Sequence, residues 1–336
     1  MTLVIFYLIF AFSLNYIFTK YQILSSHSGS NHQRFANDAV TLSGGILLFL
    51  PSLIIFFKFG MIFTICLSLL FFLGLLSDIN YLFRPKLRLL YQFIILASFV
   101  LNLKLQVFPT RIDFIDNNFH NTFLSYFFTI FCLLVLINGS NFIDGLNGLL
   151  LGYTIIQFFF LIKLEIISLS GIDLTFYYYF IFILIFILIL NFFNFLFLGD
   201  NGSYALSFLI GYNLIAIYNN STYVSPYFII LLLWYPCFEN LFSIIRKTVS
   251  KNDPLDADNK HLHHYLYVFI KKKLKVSNLF ANNFTSILIN LFNFVIFYLG
   301  SNYYNLTYVQ LWIIIFCITI YFFTYYILKE LTDKNI

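Results

Sequence analysis

Charge is what this chain has least of. Asp, Glu, Lys and Arg make up 10% of its 336 residues, whereas a soluble domain carries about 25%. A water-soluble globular fold is excluded on that ground. Cysteine is scarce and unpatterned: Cys66, Cys132, Cys237 and Cys317 each lie within an apolar run, with no C-x-x-C pair and no histidine nearby. They read as small core hydrophobes, which excludes a disulfide framework and a thiolate zinc site. No Lys or Arg precedes the first apolar run, and Lys20 follows it. A cleaved leader needs the reverse order, so residues 1–20 are expected to form a first membrane span with the N-terminus outside. Internal repetition is also missing. The two halves lack the matching broken hydrophobic segments that mark many transporters.

What is present is apolar: 61% of residues are hydrophobic and 22% aromatic. Eleven segments, at 1–20, 42–59, 60–76, 88–107, 122–138, 146–162, 176–195, 204–219, 225–244, 283–300 and 306–328, read as helices that cross a bilayer. A span takes roughly 20 residues, so no length is left for a second, soluble domain. The expected fold is all-α: one polytopic integral membrane domain over 1–336, with about eleven transmembrane helices, in the inner (plasma) membrane. The short third segment could merge with the second. With the N-terminus outside, Lys and Arg divide fifteen to four, and only Lys58, Lys104, Arg111 and Lys163 fall on the outer side. The positive-inside rule assigns the richer side to the cytoplasm.

Four polar clusters then fall on that cytoplasmic side, although none entered the orientation argument as a cluster: 74–88 (GLLSDINYLFRPKLR), 138–148 (NGSNFIDGLNG), 197–211 (FLGDNGSYALSFLIG) and 253–266 (DPLDADNKHLHHYL). The last belongs to the longest cytoplasmic loop, 246–281, whose HLHHYLYVFIKKK portion looks amphipathic and suits an anionic membrane surface. Asp78, Asp144 and Asp200 each stand at or just past a span end. One such acid could merely cap a helix; three on one face point to a site. Carboxylates on short Gly-flanked turns suit Mg²⁺, which keeps waters and takes one or two carboxylates plus substrate phosphates. Gly199, Gly202 and Ser203 open the next span and are expected to expose unpaired backbone N–H groups to a phosphate. His261, His263 and His264 lack helical zinc spacing and fit better as donors to a pyrophosphate. Glu239 reads as a buried partner of a nearby cation, with Arg246 in reach. Lys86 and Arg88 are either positive-inside anchors or ligands of an anionic lipid head.

These residues resemble the polytopic polyprenyl-phosphate N-acetylhexosamine-1-phosphate transferases (glycosyltransferase 4 type), in particular the undecaprenyl-phosphate N-acetylglucosamine-1-phosphate transferase branch. The similarity runs over about residues 40–270. NFIDGLNGL is similar to that family's N-x-x-DG-x-DGL, FLGDNGS to F-x-GD-x-GS, PCFENLFSIIRK to a P-x-x-D helix leading to Arg, and HLHH to H-x-HH. There are departures. The family's paired Asp becomes Ser77-Asp78, its second DG acid becomes Asn147, and its P-x-x-D acid is Glu239. The Pro and Lys often found ahead of F-x-GD are absent, Asn191 matches a family Asn, and NHQRFANDAVTLSGG matches the His-to-Gly-Gly stretch loosely.

The resemblance implies transfer of N-acetylglucosamine 1-phosphate, or a related sugar 1-phosphate, from a UDP-sugar to undecaprenyl phosphate, with UMP released. It implies catalytic roles for Asp78, Asp144, Asp200, His261, His263 and His264, with Mg²⁺ (or Mn²⁺) on Asp200 and Asp144. Substrate contacts are expected at Asn138, Asn141, Lys86, Asn191, Gly202, Ser203 and Arg246. The partners expected are the UDP-sugar, the polyprenyl phosphate and the bilayer, without nucleic acid and with room for a homodimer. Two other classes stay open: a lipid-linked sugar transporter or flippase, and a catalytically degenerate scaffold.

Overall fold

The computed structural model describes residues 2–25, 39–82, 84–118, 121–221, 223–251, 253 and 260–333. Residues 31–38 of the first loop and 254–259 of the fourth polar cluster, both used in the reading above, lie outside them. Among the described residues the chain is helical throughout, and only the antiparallel bridge Ser25–Thr41 lies outside helices and turns as a β contact. In chain order the helices are α1 (Thr2–Tyr21), α2 (Gly44–Ile55), α3 (Met61–Asp78), α4 (Pro85–Leu103), α5 (Asp113–Asn118), α6 (Thr122–Ile143) and α7 (Leu149–Lys163). There follow α8 (Leu174–Phe192), α9 (Gly199–Asn219), α10 (Pro226–Val249), α11 (Leu262–Leu274), α12 (Asn278–Ser301) and α13 (Thr307–Asp333).

Every expected span has a helix in its place; α5 and α11 are additional. The second and third do not merge. Gly60, at φ 96°, breaks the chain between a short 3-10 turn (Phe57–Phe59) and α3, a backbone conformation open to glycine at little cost. Seven helices, α3, α4, α6, α8, α10, α12 and α13, are long and apolar enough to cross a membrane, and α2 and α7 are shorter apolar helices. Large hydrophobic side chains cover the outside: Ile54, Met61, Phe123, Trp312 and Phe323 are each more than 70% exposed. Water would penalise such a surface, and lipid would not.

α9 is the polar exception, and it is central. It carries Asp200, Asn201, Ser203, Ser207 and Asn213, all buried, and packs against α3, α6 and α2. A helix with so many polar groups must be surrounded by protein, where Asp200, Ser203, Ser207 and the amide nitrogens of Asn201 and Asn213 find partners.

Two spans contain proline, and the same repair serves both. Proline removes a helical N–H and orphans the carbonyl four residues back. Pro51 frees the Leu47 carbonyl, which accepts from the Tyr7 hydroxyl at 3.2 Å. Pro236 frees the Leu232 carbonyl, which accepts from Tyr153 Oη at 2.9 Å and Gln157 Nε2 at 2.5 Å. Opposite Pro236, α6 offers Gly139, where a Cβ would fall 2.1 Å from the Pro236 carbonyl oxygen. α10 is thereby held tight against α6 and α7.

Candidate functional site

The first turn of α9 is seated by two glycines. A Cβ on Gly45 would stand 2.4 Å from the Gly202 nitrogen, and one on Gly74 2.5 Å from the Asn201 nitrogen. α2 and α3 therefore approach the α9 backbone more closely than any side chain would permit. Asp78, the last residue of α3, completes the seat. Its Oδ1 accepts from the Asp200 N–H at 2.9 Å, and its Oδ2 from the Asn201 N–H at 3.0 Å and Asn201 Nδ2 at 2.5 Å. A carboxylate at a helix N-terminus is favoured by both the open N–H groups and the helix dipole. This corrects the expectation that those N–H groups await a phosphate: Asp78 holds two of them. Gly202 is buried against Gly45, so its lack of a side chain serves packing.

Asp200 faces the other way, into a cradle of donors. Its Oδ2 accepts from the Ser77 hydroxyl at 2.6 Å and from Arg88 Nη1 at 2.9 Å; its Oδ1 accepts from Asn141 Nδ2 at 2.7 Å. Arg88 Nη1 also donates to Ser77 Oγ at 2.6 Å, and Asn141 Nδ2 to Ser203 Oγ at 3.0 Å. The side chains of Asp200 and Arg88 are 5% and 27% exposed. Exposed pairs contribute about 0–1 kcal/mol, whereas breaking a buried pair costs about 3–5 kcal/mol; Asp200–Arg88 is nearer the second. Lys86 belongs with the first: it pairs with Asp253 at 3.0 Å, with side chains 74% and 36% exposed. The cation beside the central acid is thus Arg88, not Lys86. Both cations stand in the first turn of α4, where a positive charge opposes the helix dipole, so the sequence carried no signal that separates them.

Asp144 ends α6, half-buried, followed by Gly145, where a Cβ would meet His264 Cε1 at 3.5 Å and His263 Nε2 at 3.6 Å. The turn is tied down by asparagines. The Asn147 N–H donates to Asn282 Oδ1 at 2.8 Å, and Asn147 Nδ2 to Asn194 Oδ1 at 2.6 Å. A carboxylate at 147 could not make the second bond, which gives the departure from DG-x-DG a structural reason. Asn191 accepts from the Gly148 N–H at 2.6 Å and donates to the Leu196 carbonyl at 3.0 Å. Asn138 Nδ2 ties α6 to Gln92 of α4 at 2.8 Å. Of the expected substrate-contacting asparagines, Asn141 touches the central acid, whereas Asn138 and Asn191 bind neighbouring protein groups.

The histidines open α11 and lean on α10. His261 Nδ1 lies 2.9 Å from Glu239 Oε1, so the partner of Glu239 is an imidazole rather than Arg246. Arg246 donates to the Lys260 carbonyl, to Tyr325 Oη at 3.0 Å and to Ser243 Oγ at 3.3 Å, clasping the chain just before the histidines. His261 and His263 stack at 5.4 Å, with His264 4.4 Å from His263. His263 is fully buried, and burial pushes its pKa well below 6.5, with His264 and His261 adding to the effect. Lys247, 4% exposed, places its ammonium 6.0 Å from the Phe142 ring, two residues before Asp144. In the sequence it read only as a topogenic charge.

Among the described residues, no three His, Cys, Asp or Glu side chains converge as a ready-made metal centre. Asp200 and Asp144 carry oxygens of the hard kind that magnesium takes together with water and substrate phosphates, and both Asp200 oxygens are engaged by Ser77, Arg88 and Asn141.

Residues 60–218, from the start of α3 to the end of α9, match the model of glycosyl transferase family 4. Among curated proteins, the chain is 28% identical over 212 residues to a probable undecaprenyl-phosphate N-acetylglucosaminyl 1-phosphate transferase of Bacillus subtilis, covering 61% of this chain and 58% of that one. It is also 28% identical over 293 residues to the undecaprenyl-phosphate alpha-N-acetylglucosaminyl 1-phosphate transferase of Thermotoga maritima, covering 87% and 86%. A decaprenyl-phosphate N-acetylglucosaminephosphotransferase of Mycolicibacterium smegmatis is 27% identical over 42% of this chain and 40% of its own. The alignment thus spans less than two thirds of the Bacillus protein and most of the Thermotoga one. Asp78, Asp144 and Asp200 all lie inside the segment that matches glycosyl transferase family 4.

Proposed function

We propose that this protein transfers N-acetylglucosamine 1-phosphate from UDP-N-acetylglucosamine to undecaprenyl phosphate at the cytoplasmic face of the membrane, releasing UMP. The observation that carries the reading is the meeting of polar helix ends: Ser77-Asp78, Arg88 and Asn141 around Asp200, and the histidines of α11 against Gly145, one turn beyond Asn141. The names of the relatives support the acceptor and the transferred group, and the excess of Lys and Arg on the same side supports the cytoplasmic assignment.

Phosphoryl transfer asks mainly for positioning and charge neutralisation. An oxygen of the lipid phosphate attacks the β-phosphorus of the donor; the bond to the α–β bridging oxygen breaks and UMP departs with that oxygen. The second pKa of a phosphomonoester is about 6, so at neutral pH the acceptor is mostly a dianion and needs no dedicated base. Ser77 at the place of an acid is compatible with that chemistry. Magnesium held by Asp200 and Asp144 would neutralise charge on the donor diphosphate. Arg88 adds positive charge beside Asp200, and His263 and His264 supply ring N–H donors to phosphate oxygens.

The test is UMP release and lipid-product mass with a panel of UDP-sugars and undecaprenyl phosphate, with and without EDTA. Turnover with one UDP-N-acetylhexosamine, lost in EDTA, restored by Mg²⁺ and absent in Asp200→Asn protein that remains folded, is expected. No lipid-linked product with any UDP-sugar, from folded protein in native membranes, would overturn the reading.

A further inference from the structure

Glu239 is a buried acid beside the site that the reaction above leaves without work. It is wholly buried on α10, three residues beyond Pro236. Burying a carboxylate costs several kcal/mol unless it is compensated, and a leucine there would pack without that cost. Its direction follows from the backbone. The carbonyl freed by Pro236 is held by Tyr153 and Gln157, and Gly139 lets α6 close on the proline. α10 is therefore fixed at the turn that carries Glu239.

Glu239 Oε1 meets two groups of the next helix. One is His261 Nδ1 at 2.9 Å, the other the backbone N–H of Leu262, the first residue of α11, at 3.3 Å. The carboxylate thus holds α11 by its N-terminus, as Asp78 holds α9. Oε1 accepts from the Leu262 N–H, and the arrangement in which it accepts from His261 as well places the ring proton on Nδ1. The other ring nitrogen, Nε2, is the one turned away from Glu239. The ring itself is wedged between Phe142, 4.9 Å away, and His263 at 5.4 Å. Phe142 precedes Asp144 by two residues, and Arg246 fixes the carbonyl of Lys260 just before the ring.

We propose that Glu239 is a positioning residue for the transfer: it keeps the His261 proton on Nδ1 and so turns Nε2, as a proton acceptor, towards the substrates. Its contribution is orientation. A glutamine, whose amide oxygen accepts from both Nδ1–H and the Leu262 N–H, should replace it; a leucine should not.

The tautomer is read directly from side-chain ¹⁵N shifts of histidine-labelled protein above pH 8, with His261→Gln identifying the signals. Wild type and Glu239→Gln should show a protonated Nδ1 and a bare Nε2; Glu239→Leu should lose that preference. The opposite tautomer in wild type overturns the inference, and this measurement needs no activity. The kinetic arm rests on the transferase reading. Glu239→Leu should lower kcat about ten- to a hundredfold, the usual loss when the partner of a working histidine is removed, with KM for both substrates little changed and Glu239→Gln close to wild type. Wild-type kcat in Glu239→Leu, or a Glu239→Gln as slow as the leucine variant, overturns it. Absence of turnover in wild type would instead count against the transferase reading alone.

Discussion

The Asp78 carboxylate accepts hydrogen bonds from the backbone N–H groups of Asp200 and Asn201, at 2.9 and 3.0 Å. The acid that ends α3 thus seats the acid that begins α9. The neighbouring Ser77 hydroxyl reaches the Asp200 side chain itself, at 2.6 Å. Adjacent residues on one helix end hold the backbone and the side chain of the same aspartate.

Asp78→Asn should act through this seat. The amide keeps one acceptor and sets a donor against the Asn201 N–H, so thermal unfolding should report a loss of about 1–2 kcal/mol, as for other lost caps. kcat should fall as Asp200 is displaced, with the acidic limb of the pH–rate profile unmoved. A shifted limb would mean that Asp78 exchanges a proton during the reaction.

Ser77→Ala removes a hydrogen bond to a carboxylate, a loss of about 1.5–3 kcal/mol that denaturation would show. Ser77→Asp sets a second carboxylate beside Asp200 with Arg88 between them, and turnover should equal or exceed wild type. Its complete inactivation would show that this chain has rebuilt the site around the hydroxyl.

Gly74→Ala pushes a Cβ to 2.5 Å from the α9 backbone at Asn201, and neither helix can yield there. Overpacking of this kind costs about 1–3 kcal/mol, and activity should fall with it. At Gly211 the obstacles are only the ends of Leu133 and Leu136, 2.8 and 3.0 Å away, so Gly211→Ala should be near neutral. Equal melting temperatures for the two variants would contradict the proposed seat.

The buried His263 makes stability depend on pH in a definite direction. Its folded pKa is depressed, so its contribution is complete above the unfolded value of about 6.5 and is lost as pH falls from there towards the folded value. The unfolded chain then binds a proton that the folded one refuses. Wild-type melting temperature should drop below pH 6.5 by more than that of His263→Gln. Parallel curves would remove the buried imidazole as the cause.

Much of this architecture was legible in the chain. Apolar runs of span length located eleven of the thirteen helices, because lipid-facing positions must be hydrophobic whatever they pack against. The histidines at 261–264 were also placed correctly beside the turn after α6, since imidazoles are costly in lipid. The roles within the site were not legible. Lys86 and Arg88 are two residues apart and alike in type, yet Lys86 pairs with Asp253 at the surface and Arg88 with Asp200 inside. Asn138 and Asn141 lie one turn apart, yet one ties two helices and the other touches the central acid.

Sequence alone determined that the chain reads as a membrane-embedded helical bundle, that Asp78, Asp144, Asp200 and the histidines at 261–264 stand in polar clusters at span ends, and which family's motifs those clusters resemble. Those properties depend on composition and order along the chain, and both are local. Tertiary structure alone decided that Asp78 binds backbone while Ser77 binds Asp200, and that Glu239 answers to His261. A carboxylate's role depends on which donors lie within about 3 Å of it, and those donors come from helices far apart in the chain.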